Sequence, residues 1–349
     1  MLRPSSSSPI ISVLLPTYNR AAMITRAIES VLGQEFTDLE LIVIDDGSTD
    51  ETPRVISKIA DRRLRYIYFE QNRGNCAARN QGIQQARGEF IAQIDSDDLW
   101  LPQKISYQFN LFQKYKHLDL ICCNYVDLDD VRGTSIDNYS RNEQAFRRLQ
   151  VRELEKDAWE ILGGLPEALL GFDLILHSSV MLRRTIMEML GGYNENLRGG
   201  GDLECWWRAA LRGMKFSHTS RILVERHIHG ENLISDKVVS LKHHLQALQI
   251  CEQDARDLGR NDLLPLFQDV KYGSWHGIML EQARRGKRME AFASFEESIK
   301  YVRLAYGFSV VWLSYLFSVV LGPRSVERVK AWLGPRLVDR IRKLRQPKG

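Results

Sequence analysis

The sequence predicts an α/β fold: a doubly wound, mostly parallel sheet followed by a helical C-terminal extension. Short continuous apolar runs rich in Ile, Val and Leu recur through the first 125 residues, and amphipathic helical patterns separate most of them. After about residue 235 the apolar residues instead recur at spacings of three and four, which is typical of packed helices. Continuous apolar strands that alternate with amphipathic helices indicate a parallel sheet covered on both faces.

Each predicted element of the first 125 residues has a local signal. The apolar runs that predict strands are ISVLL (11–15), ELIVI (40–44), YIYF (66–69), FIAQI (90–94) and DLICCN (119–124). The patterns that predict helices are AAMITRAIESVLGQ (21–34), TPRVISKIA (52–60), NCAARNQGIQQA (75–86) and LPQKISYQFNLFQKY (101–115). Thr52-Pro53 marks a helix start, and Gly88 ends the third helical pattern.

Composition excludes several classes of protein. With 44% hydrophobic and 26% charged residues in 349, the whole chain is neither disordered, collagen-like nor a coiled coil. Its length predicts about two domains, or one large α/β domain with an appendage. Five scattered cysteines without CxxC spacing argue against a disulfide framework and a structural zinc site, and they favour a reducing compartment. The start MLRPSSSSPI has no apolar core of signal-peptide length, and residues 1–9 are predicted to be a disordered lead-in.

Polar clusters follow three of the predicted strands. Strand one runs into PTYNR (16–20), strand two into DDGSTD (45–50) and strand four into DSDD (95–98). Doubly wound sheets bind ligands at the carboxyl ends of their strands, so these clusters should converge on one edge. The acids among them are Asp45, Asp46, Asp95, Asp97 and Asp98. So many carboxylates repel one another unless a cation or a donor-rich ligand lies among them, and Mg²⁺ or Mn²⁺ prefers oxygen ligands together with substrate phosphates.

An alternative interpretation of the acids is structural. Asp45, Asp46 and Gly47 also suit a turn that caps a helix. That interpretation is weaker for DSDD, which follows an apolar strand and precedes LWLP. Glycine-rich phosphate loops of the GxxxxGK[ST] or GxGxxG type are absent from the strand-one loop. The sequence therefore favours a site in which metal and phosphate bind together.

The ordered segments SVLLPTYNR, ELIVIDDGSTDET and NRGNCAARNQGIQQARGEFIAQIDSDDLWLPQK resemble a family 2 glycosyltransferase of the GT-A fold. The resemblance is dense over residues 9–125 and thinner to about residue 232. It implies transfer of a sugar from a nucleotide-diphosphate donor to an acceptor hydroxyl, with inversion at the anomeric carbon and a divalent metal, Mn²⁺ or Mg²⁺. The central sheet would then be Rossmann-like.

The resemblance also implies donor-binding residues. Pro16 and Tyr18 match the loop that holds the nucleotide base, where the Tyr18 ring offers a stacking face. Asp46 matches the acid that accepts a hydrogen bond from the base. Asn72 and Arg79 match the NxG…ARN segment, in which Arg79 either contacts the donor or makes a salt bridge on the helix surface.

Metal-binding and catalytic residues follow from the same resemblance. Asp97 or Asp98 is expected to hold the metal that bridges the diphosphate, and Asp95 to orient the ribose or the motif itself. In GGGDLECWWRAALRG, alignment on Trp206-Trp207-Arg208 places the catalytic base at Asp202, with Gly201 where the family commonly has Glu. Asp202 is expected to take the acceptor's proton. Its alternative role is that of a helix N-cap, and Glu204 is the reserve candidate for the base.

Histidine roles are more open. LVERHIHGENL (223–233) resembles a family strand that ends in an Arg-x-His pair, so that His227 stands where arginine is usual and His229 matches the histidine. His229 is then a third metal ligand, a contact to the diphosphate, or a structural residue.

The C-terminal part carries no family motif. Residues 304–323 are twenty positions without a charge, followed by a tail with nine basic and two acidic residues. This segment is a buried helix, a helix against an anionic membrane surface, or a bilayer span. Nucleic acid is the weakest partner, because no nucleic-acid-binding pattern accompanies the basic tail. We predict a location in the cytoplasm, with peripheral membrane contact as one option.

The predicted organisation is a GT-A domain over residues 10–235 and a helical extension over residues 236–349. Residues 10–125 form the nucleotide-sugar half of the GT-A domain and residues 126–235 the acceptor half. The expected acceptor is a sugar, a lipid-linked sugar or a polysaccharide of the cell envelope. A catalytically inactive nucleotide-sugar-binding scaffold is the alternative that the Gly201 departure supports. Nucleotidyl transfer is a third class, for which PTYNRAAM lacks the glycine-rich basic signature.

Overall fold

The computed structural model describes residues 8–129, 132–228 and 236–301 of the chain. The chain divides into two compact units between Asn232 and Leu233. The predicted apolar segment 304–323, the basic tail and His229 lie outside the described residues, as does most of the predicted lead-in.

The first half of unit one is the parallel sheet that the sequence predicts. Its strands in spatial order are β3 (Leu64–Tyr68), β2 (Leu39–Asp45), β1 (Ile11–Thr17) and β4 (Phe90–Gln93), all parallel. Every residue of β1 and β2 is buried, because helices cover both faces of a sheet of this kind. The intervening helices are α1 (Ile24–Leu32), α2 (Thr52–Ile56) and α3 (Asn75–Gln85).

Beyond β4 the sheet becomes mixed. Its central strands are β6 (Leu120–Asp129), β10 (Val180–Arg183) and β11 (Phe216–Ile228), where β10 lies antiparallel between β4 and β6, and β11 runs parallel to β6. The outer and short strands are β5 (Asp98–Trp100), β7 (Thr134–Asp137), β8 (Gln150–Glu155) and β9 (Ala158–Gly163). The remaining helices of this unit are α4 (Lys104–Lys114), α5 (Asn138–Arg141), α6 (Glu143–Phe146), α7 (Leu165–Gly171), α8 (Arg184–Leu190) and α9 (Gly201–Leu211).

The described part of unit two is helical, as the sequence predicts. Its helices are α10 (Lys237–Asp257), α11 (Leu264–Arg284) and α12 (Arg288–Ile299). Met279, Ala291 and Phe295 form a core between α11 and α12. Within residues 8–129, 132–228 and 236–301, no helix combines the length and the apolar composition that crossing a bilayer requires.

A fully buried lysine, Lys104, lies at the start of α4 beside Trp100 of β5. Lys104 Nζ donates to the neutral amide oxygen of Gln108 at 2.9 Å and lies 4.0 Å from the ring centroid of Trp100. Burial lowers the pKa of Lys104 from 10.5 to about 8, against a small opposing influence of Cys123. Because the folded state binds this proton less tightly than the unfolded state does, the free energy of unfolding rises with pH between about 8 and 10.5.

We expect Lys104→Met to stabilise the protein at pH 7. The buried ammonium costs the folded state about 3 kcal/mol below pH 8, and the lost contacts to Trp100 and Gln108 reduce the gain to about 1–2 kcal/mol. Urea unfolding at pH 7 and at pH 10 measures this. The difference between variant and wild type should shrink at pH 10, where the wild-type lysine is neutral in its folded state. A constant difference, or destabilisation at pH 7, contradicts this assignment.

Candidate active site

The loops that follow β1 and β2 form one connected surface. Asn19, with a left-handed φ of +52°, donates its backbone N–H to Ser48 Oγ and accepts the Thr49 N–H on its side-chain oxygen, both at 2.8 Å. Pro16 is buried within β1, whereas Tyr18 is 42% exposed. Of these two predicted base-contacting residues, Tyr18 is therefore the one whose ring is accessible at this edge.

Asp45 has the structural role that its turn alternative describes. One carboxylate oxygen accepts the backbone N–H of Ser48 at 2.8 Å, and the other accepts the Tyr66 hydroxyl at 2.8 Å. The side chain is fully buried. Asp45 thus holds the turn after β2 and offers no open oxygen for a ligand.

Asp46 holds the segment that carries Asn72. Its two carboxylate oxygens accept the backbone N–H groups of Arg73 and Gly74 at 2.7 and 2.8 Å. Burial raises its pKa, although these hydrogen bonds oppose the rise. Gly47 is required at the next position because its φ is +80° and a Cβ there would lie 2.9 Å from the Asn72 nitrogen. The Asp46 carboxylate therefore links the strand-two loop to the segment 73–74, which directly follows exposed Asn72.

Arg79 is a buried residue of the site and makes no salt bridge on the helix surface. It is 5% exposed, and its Nη2 donates to Asp95 Oδ1 at 2.7 Å. Its guanidinium also lies 5.6 Å from the ring centroid of Tyr193. The surface alternative for Arg79 is wrong, because α3 turns this side chain inward towards the DSDD segment.

Ser178 is a site residue that the sequence did not single out. Its hydroxyl donates to Asp98 Oδ2 at 2.5 Å and accepts the Asp95 N–H at 2.9 Å, while its carbonyl accepts Trp100 Nε1 at 2.8 Å. One serine thus fixes both ends of the DSDD turn. The available signal was the polar triplet of residues 177–179 directly before an apolar strand.

The three carboxylates of DSDD concentrate negative charge. Burial raises the pKa of Asp98 well above its ordinary value, and the charges of Asp95 and Asp97 raise it further. Burial also raises the pKa of Asp95, with contributions from Asp97 and Asp202 that Arg79 opposes. Such a cluster is the environment that a cation or a proton donor relieves.

A small cavity of about 60 Å³ adjoins this turn. Asp97 and Asp98 line it together with Arg26 of α1 and His227 of β11. Asp97 is more exposed than Asp98, which is 2% exposed. Among the described residues, no three His, Cys, Asp or Glu side chains are grouped so as to hold a metal. Asp97 and Asp98 could serve as two oxygen ligands for Mg²⁺ or Mn²⁺, cations that commonly complete their shell with substrate oxygens and water.

Asp202 lies in the first turn of α9. Burial is the largest cause of the raised pKa of Asp95 and of Asp173, and the charge of Asp202 raises both pKa values further. The N-cap of α9 is Gly200, with φ +73°, and no side chain caps the helix. The N-cap alternative for Asp202 is therefore wrong. The helix start instead brings this carboxylate within electrostatic range of the DSDD turn.

Glu204, the reserve candidate for the base, is bound by an arginine. Both of its oxygens accept hydrogen bonds from Arg208, at 2.6 and 3.0 Å, and the residue is 2% exposed. A buried carboxylate held on both oxygens is poorly suited to taking a proton from a substrate. This contact pattern favours Asp202 over Glu204.

Gly201 is explained by its neighbour Cys76. A Cβ at position 201 would lie 2.4 Å from the Cys76 sulfur, which is far inside van der Waals contact. Cys76 is 3% exposed and sits at the start of α3. The thiol thus occupies the space that a side chain at position 201 would need.

We expect Gly201→Ala to destabilise the protein by about 1–3 kcal/mol, because overpacking must displace Cys76 or the start of α9. Adding Cys76→Ala should restore most of the stability, since it removes the clashing sulfur and keeps a good helix former in α3. A double-mutant cycle by chemical denaturation measures this, with a predicted coupling of about 1 kcal/mol or more. Additive effects of the two substitutions would show that the contact does not govern this helix start.

Comparisons with known proteins find similarity to glycosyltransferases. Residues 12–164 match the family described as Glycosyl transferase family 2. The chain is 42% identical over 153 residues to the putative colanic acid biosynthesis glycosyl transferase WcaA of Escherichia coli, which covers 42% of this chain and 55% of that protein. It is 27% identical over 243 residues to the chondroitin synthase of Escherichia coli, over 69% of this chain and 32% of that protein. The chain therefore spans about half and about a third of these two relatives.

Two solved structures share the fold. The Staphylococcus aureus protein TarS in complex with UDP-GlcNAc aligns with a TM-score of 0.56 at 19% identity, over 83% of this chain and 88% of that chain. The mannosyltransferase PcManGT of Pyrobaculum calidifontis, in complex with GDP-Man and Mn²⁺, aligns with a TM-score of 0.55 at 16% identity, over 92% and 83%. This likeness shows the GT-A fold, and the match of residues 12–164 supports a family 2 glycosyltransferase domain in the first unit.

Proposed function

We propose that the protein transfers a sugar, with inversion, from a nucleotide-diphosphate sugar to an acceptor hydroxyl in the synthesis of a cell-envelope polysaccharide or glycoconjugate. The observation that carries this proposal is the convergence of the DSDD carboxylates, buried Arg79 and Asp202 at one edge of a GT-A sheet. The nucleotide sugars bound to TarS and PcManGT, which share the fold, support a donor of this class.

In this proposal the donor lies across the strand ends. Tyr18 offers its ring to the base, and Asp46 and Asn72 border the same loop surface. Asp95 orients the ribose while Arg79 holds Asp95 through their 2.7 Å ion pair. Pro16 acts by shaping the end of β1. Aromatic stacking and charge-assisted hydrogen bonds of these kinds position nucleotides in general.

Asp97 and Asp98 are the proposed metal ligands. They fit a divalent cation because the turn gathers three carboxylates: burial raises the pKa of Asp98, and the charges of Asp95 and Asp97 raise it further. The Mn²⁺ in the PcManGT complex supports the same choice. A bound cation would supply Lewis-acid stabilisation of the leaving diphosphate. His229 remains a sequence-based candidate for a further ligand.

Asp202 is the proposed base. Its carboxylate takes the proton of the acceptor hydroxyl as the acceptor oxygen forms its bond to the anomeric carbon. The bond between that carbon and the diphosphate oxygen breaks in the same step, and the nucleoside diphosphate leaves with the electron pair. Attack opposite to the leaving group gives inversion. Arg208 keeps Glu204 out of this role.

The acceptor is proposed to be a growing polysaccharide or a lipid-linked sugar. Relatives named for colanic acid biosynthesis and for chondroitin synthesis support this class. Peripheral contact of the C-terminal segment with the cytoplasmic face of the membrane would place the enzyme beside such acceptors.

The test is an assay with UDP-, GDP- and dTDP-linked sugars, Mn²⁺, and chondroitin tetrasaccharide or cellotetraose as the acceptor, with product analysis by NMR. Release of a nucleoside diphosphate together with a glycoside of inverted anomeric configuration is the expected result. Release of a nucleoside monophosphate and a sugar phosphate would instead indicate cleavage between the phosphates. Binding without any release would favour the inactive scaffold.

A further inference from the structure

An aromatic pocket lies in the acceptor half of unit one, apart from the DSDD turn. The rings of Tyr139 and Phe146 stack 4.2 Å apart at an interplanar angle of 3°, and the Trp159 ring centroid lies 6.4 Å from that of Tyr139. His218 contacts Phe146 with ring centroids 4.8 Å apart. These four side chains, with Leu149 and Val151 among their neighbours, line a cavity of about 70 Å³.

His218 has unmet hydrogen-bonding capacity. The residue is 3% exposed, and neither ring nitrogen has a hydrogen-bond partner among the described residues. Burial lowers the pKa of His218 to about 3, so at neutral pH its ring carries one N–H donor and one acceptor nitrogen. A buried polar group left unpaired is costly. A ligand that both donates and accepts a hydrogen bond would satisfy the ring.

The pocket lies on the acceptor side at a definite distance from the DSDD strand. His218 pairs with Cys122 on β6, which in turn pairs with Val180 on β10. Because Met181 pairs with Ala92, Val180 lies level with Gln93, two residues before Asp95. His218 on β11 and Gln93 on β4 are therefore three strand spacings apart, which at about 4.8 Å each is about 14 Å across the sheet. An oligosaccharide can span that separation.

Helix α5 connects the pocket to an ion-pair network around Asp127. Tyr139 of α5 lines the pocket, and Arg141 of the same helix pairs with Asp127 on β6. Asp127 also accepts two hydrogen bonds from Arg226, at 2.6 and 2.7 Å, and Arg226 pairs with Asp173 at 3.4 Å. A ligand in the pocket would therefore contact the same short helix that pairs with Asp127 of β6.

We propose that this pocket binds a sugar unit of the acceptor chain, remote from the hydroxyl that reacts. Aromatic faces suit the apolar faces of a sugar ring, and a neutral imidazole suits a hydroxyl that both donates and accepts. The proposal rests on the proposed function in taking the acceptor to be a carbohydrate. It adds a second point of attachment, so longer acceptors are expected to bind more tightly than a monosaccharide.

Saturation-transfer NMR on the full chain tests the pocket, with chondroitin tetrasaccharide and cellotetraose as acidic and neutral probes and decanol as an apolar competitor. Two variants remove the site in different ways. His218→Phe removes both ring nitrogens and keeps a ring, and Val151→Trp fills the pocket from its exposed edge. Val239→Trp, at an exposed position of unit two, is the matched control.

The expected result is binding of at least one tetrasaccharide by the wild type and the control, with at least tenfold weaker binding by both pocket variants. No binding of either tetrasaccharide, equal binding by all four proteins, or binding of decanol alone would overturn the proposal. Nucleotide-induced thermal shifts should be unchanged in the pocket variants. Tetrasaccharide binding without any nucleotide shift would keep the pocket and reject the proposed function.

Discussion

Asp202→Asn is expected to lower kcat for sugar transfer by about 10²–10⁴-fold, the usual contribution of a general base. Asparagine keeps the size of the side chain and its place in the first turn of α9, but it cannot accept the acceptor's proton. Donor affinity should change little, because the base acts on the acceptor. Steady-state kinetics with product quantification, together with nucleotide binding by calorimetry, measures both effects.

A matched control separates this effect from loss of charge. Asp38→Asn removes an exposed carboxylate from the loop before β2 and should leave kcat unchanged. The pH profile adds a readout that a structural role would not change, since loss of the base should remove the acidic limb of kcat against pH. Near-normal transfer by Asp202→Asn with intact donor binding would place the base elsewhere, and Glu204→Gln would then be the next variant.

Asp97→Asn is expected to weaken Mn²⁺-dependent binding of the nucleoside diphosphate by about 100-fold, or about 3 kcal/mol. The substitution removes a charged oxygen ligand at the cavity beside the DSDD turn while preserving side-chain volume. Asp97 is a better position for this substitution than Asp98. Asp98 also accepts a hydrogen bond from Ser178, so its replacement would disturb the turn itself. Calorimetric titration of UDP and GDP, each with Mn²⁺ or with EDTA, measures the loss.

The EDTA titration supplies the internal control for this prediction. Wild type in EDTA and Asp97→Asn in Mn²⁺ should bind the nucleotide with similar weak affinity, and Asp38→Asn should behave as wild type in both. If Asp97→Asn keeps its Mn²⁺-dependent affinity, the metal assignment at this residue is wrong.

The parallel half of the sheet was predictable because its strands are recognisable from the local sequence alone. β1 and β2 are continuous apolar runs with every residue buried, and a helical pattern follows each of them. The mixed half was not predicted in detail. β8 is largely exposed, β5 is three residues long, and β11 buries the polar residues Ser217, His218 and Thr219. Because buried positions of β11 carry polar residues, its sequence lacks the apolar pattern from which a buried strand is predicted.

The site residues likewise fall into those that the local sequence predicts and those that it does not. The acids of DSDD and the acid of α9 were located from the sequence, because each stands directly beside a recognisable element. Ser178 and Cys76 were not, because their roles depend on contacts between distant segments. Ser178 reaches Asp98 across 80 residues of sequence, and Cys76 approaches Gly201 only because α3 and α9 begin beside each other. Pairwise contacts of this kind have no local signature.

In our proposal, this edge of the sheet binds a nucleoside diphosphate together with a divalent metal. Thermal unfolding with UDP, GDP and dTDP, each with and without Mn²⁺, tests it most directly. At a ligand concentration a hundred times Kd, binding adds about 2.7 kcal/mol, which corresponds to a rise in Tm of roughly 5–10 °C for a unit of this size. We predict that one nucleotide raises Tm by this amount only when Mn²⁺ is present. No shift with any nucleotide, or an equal shift in Asp97→Asn, would contradict the claim.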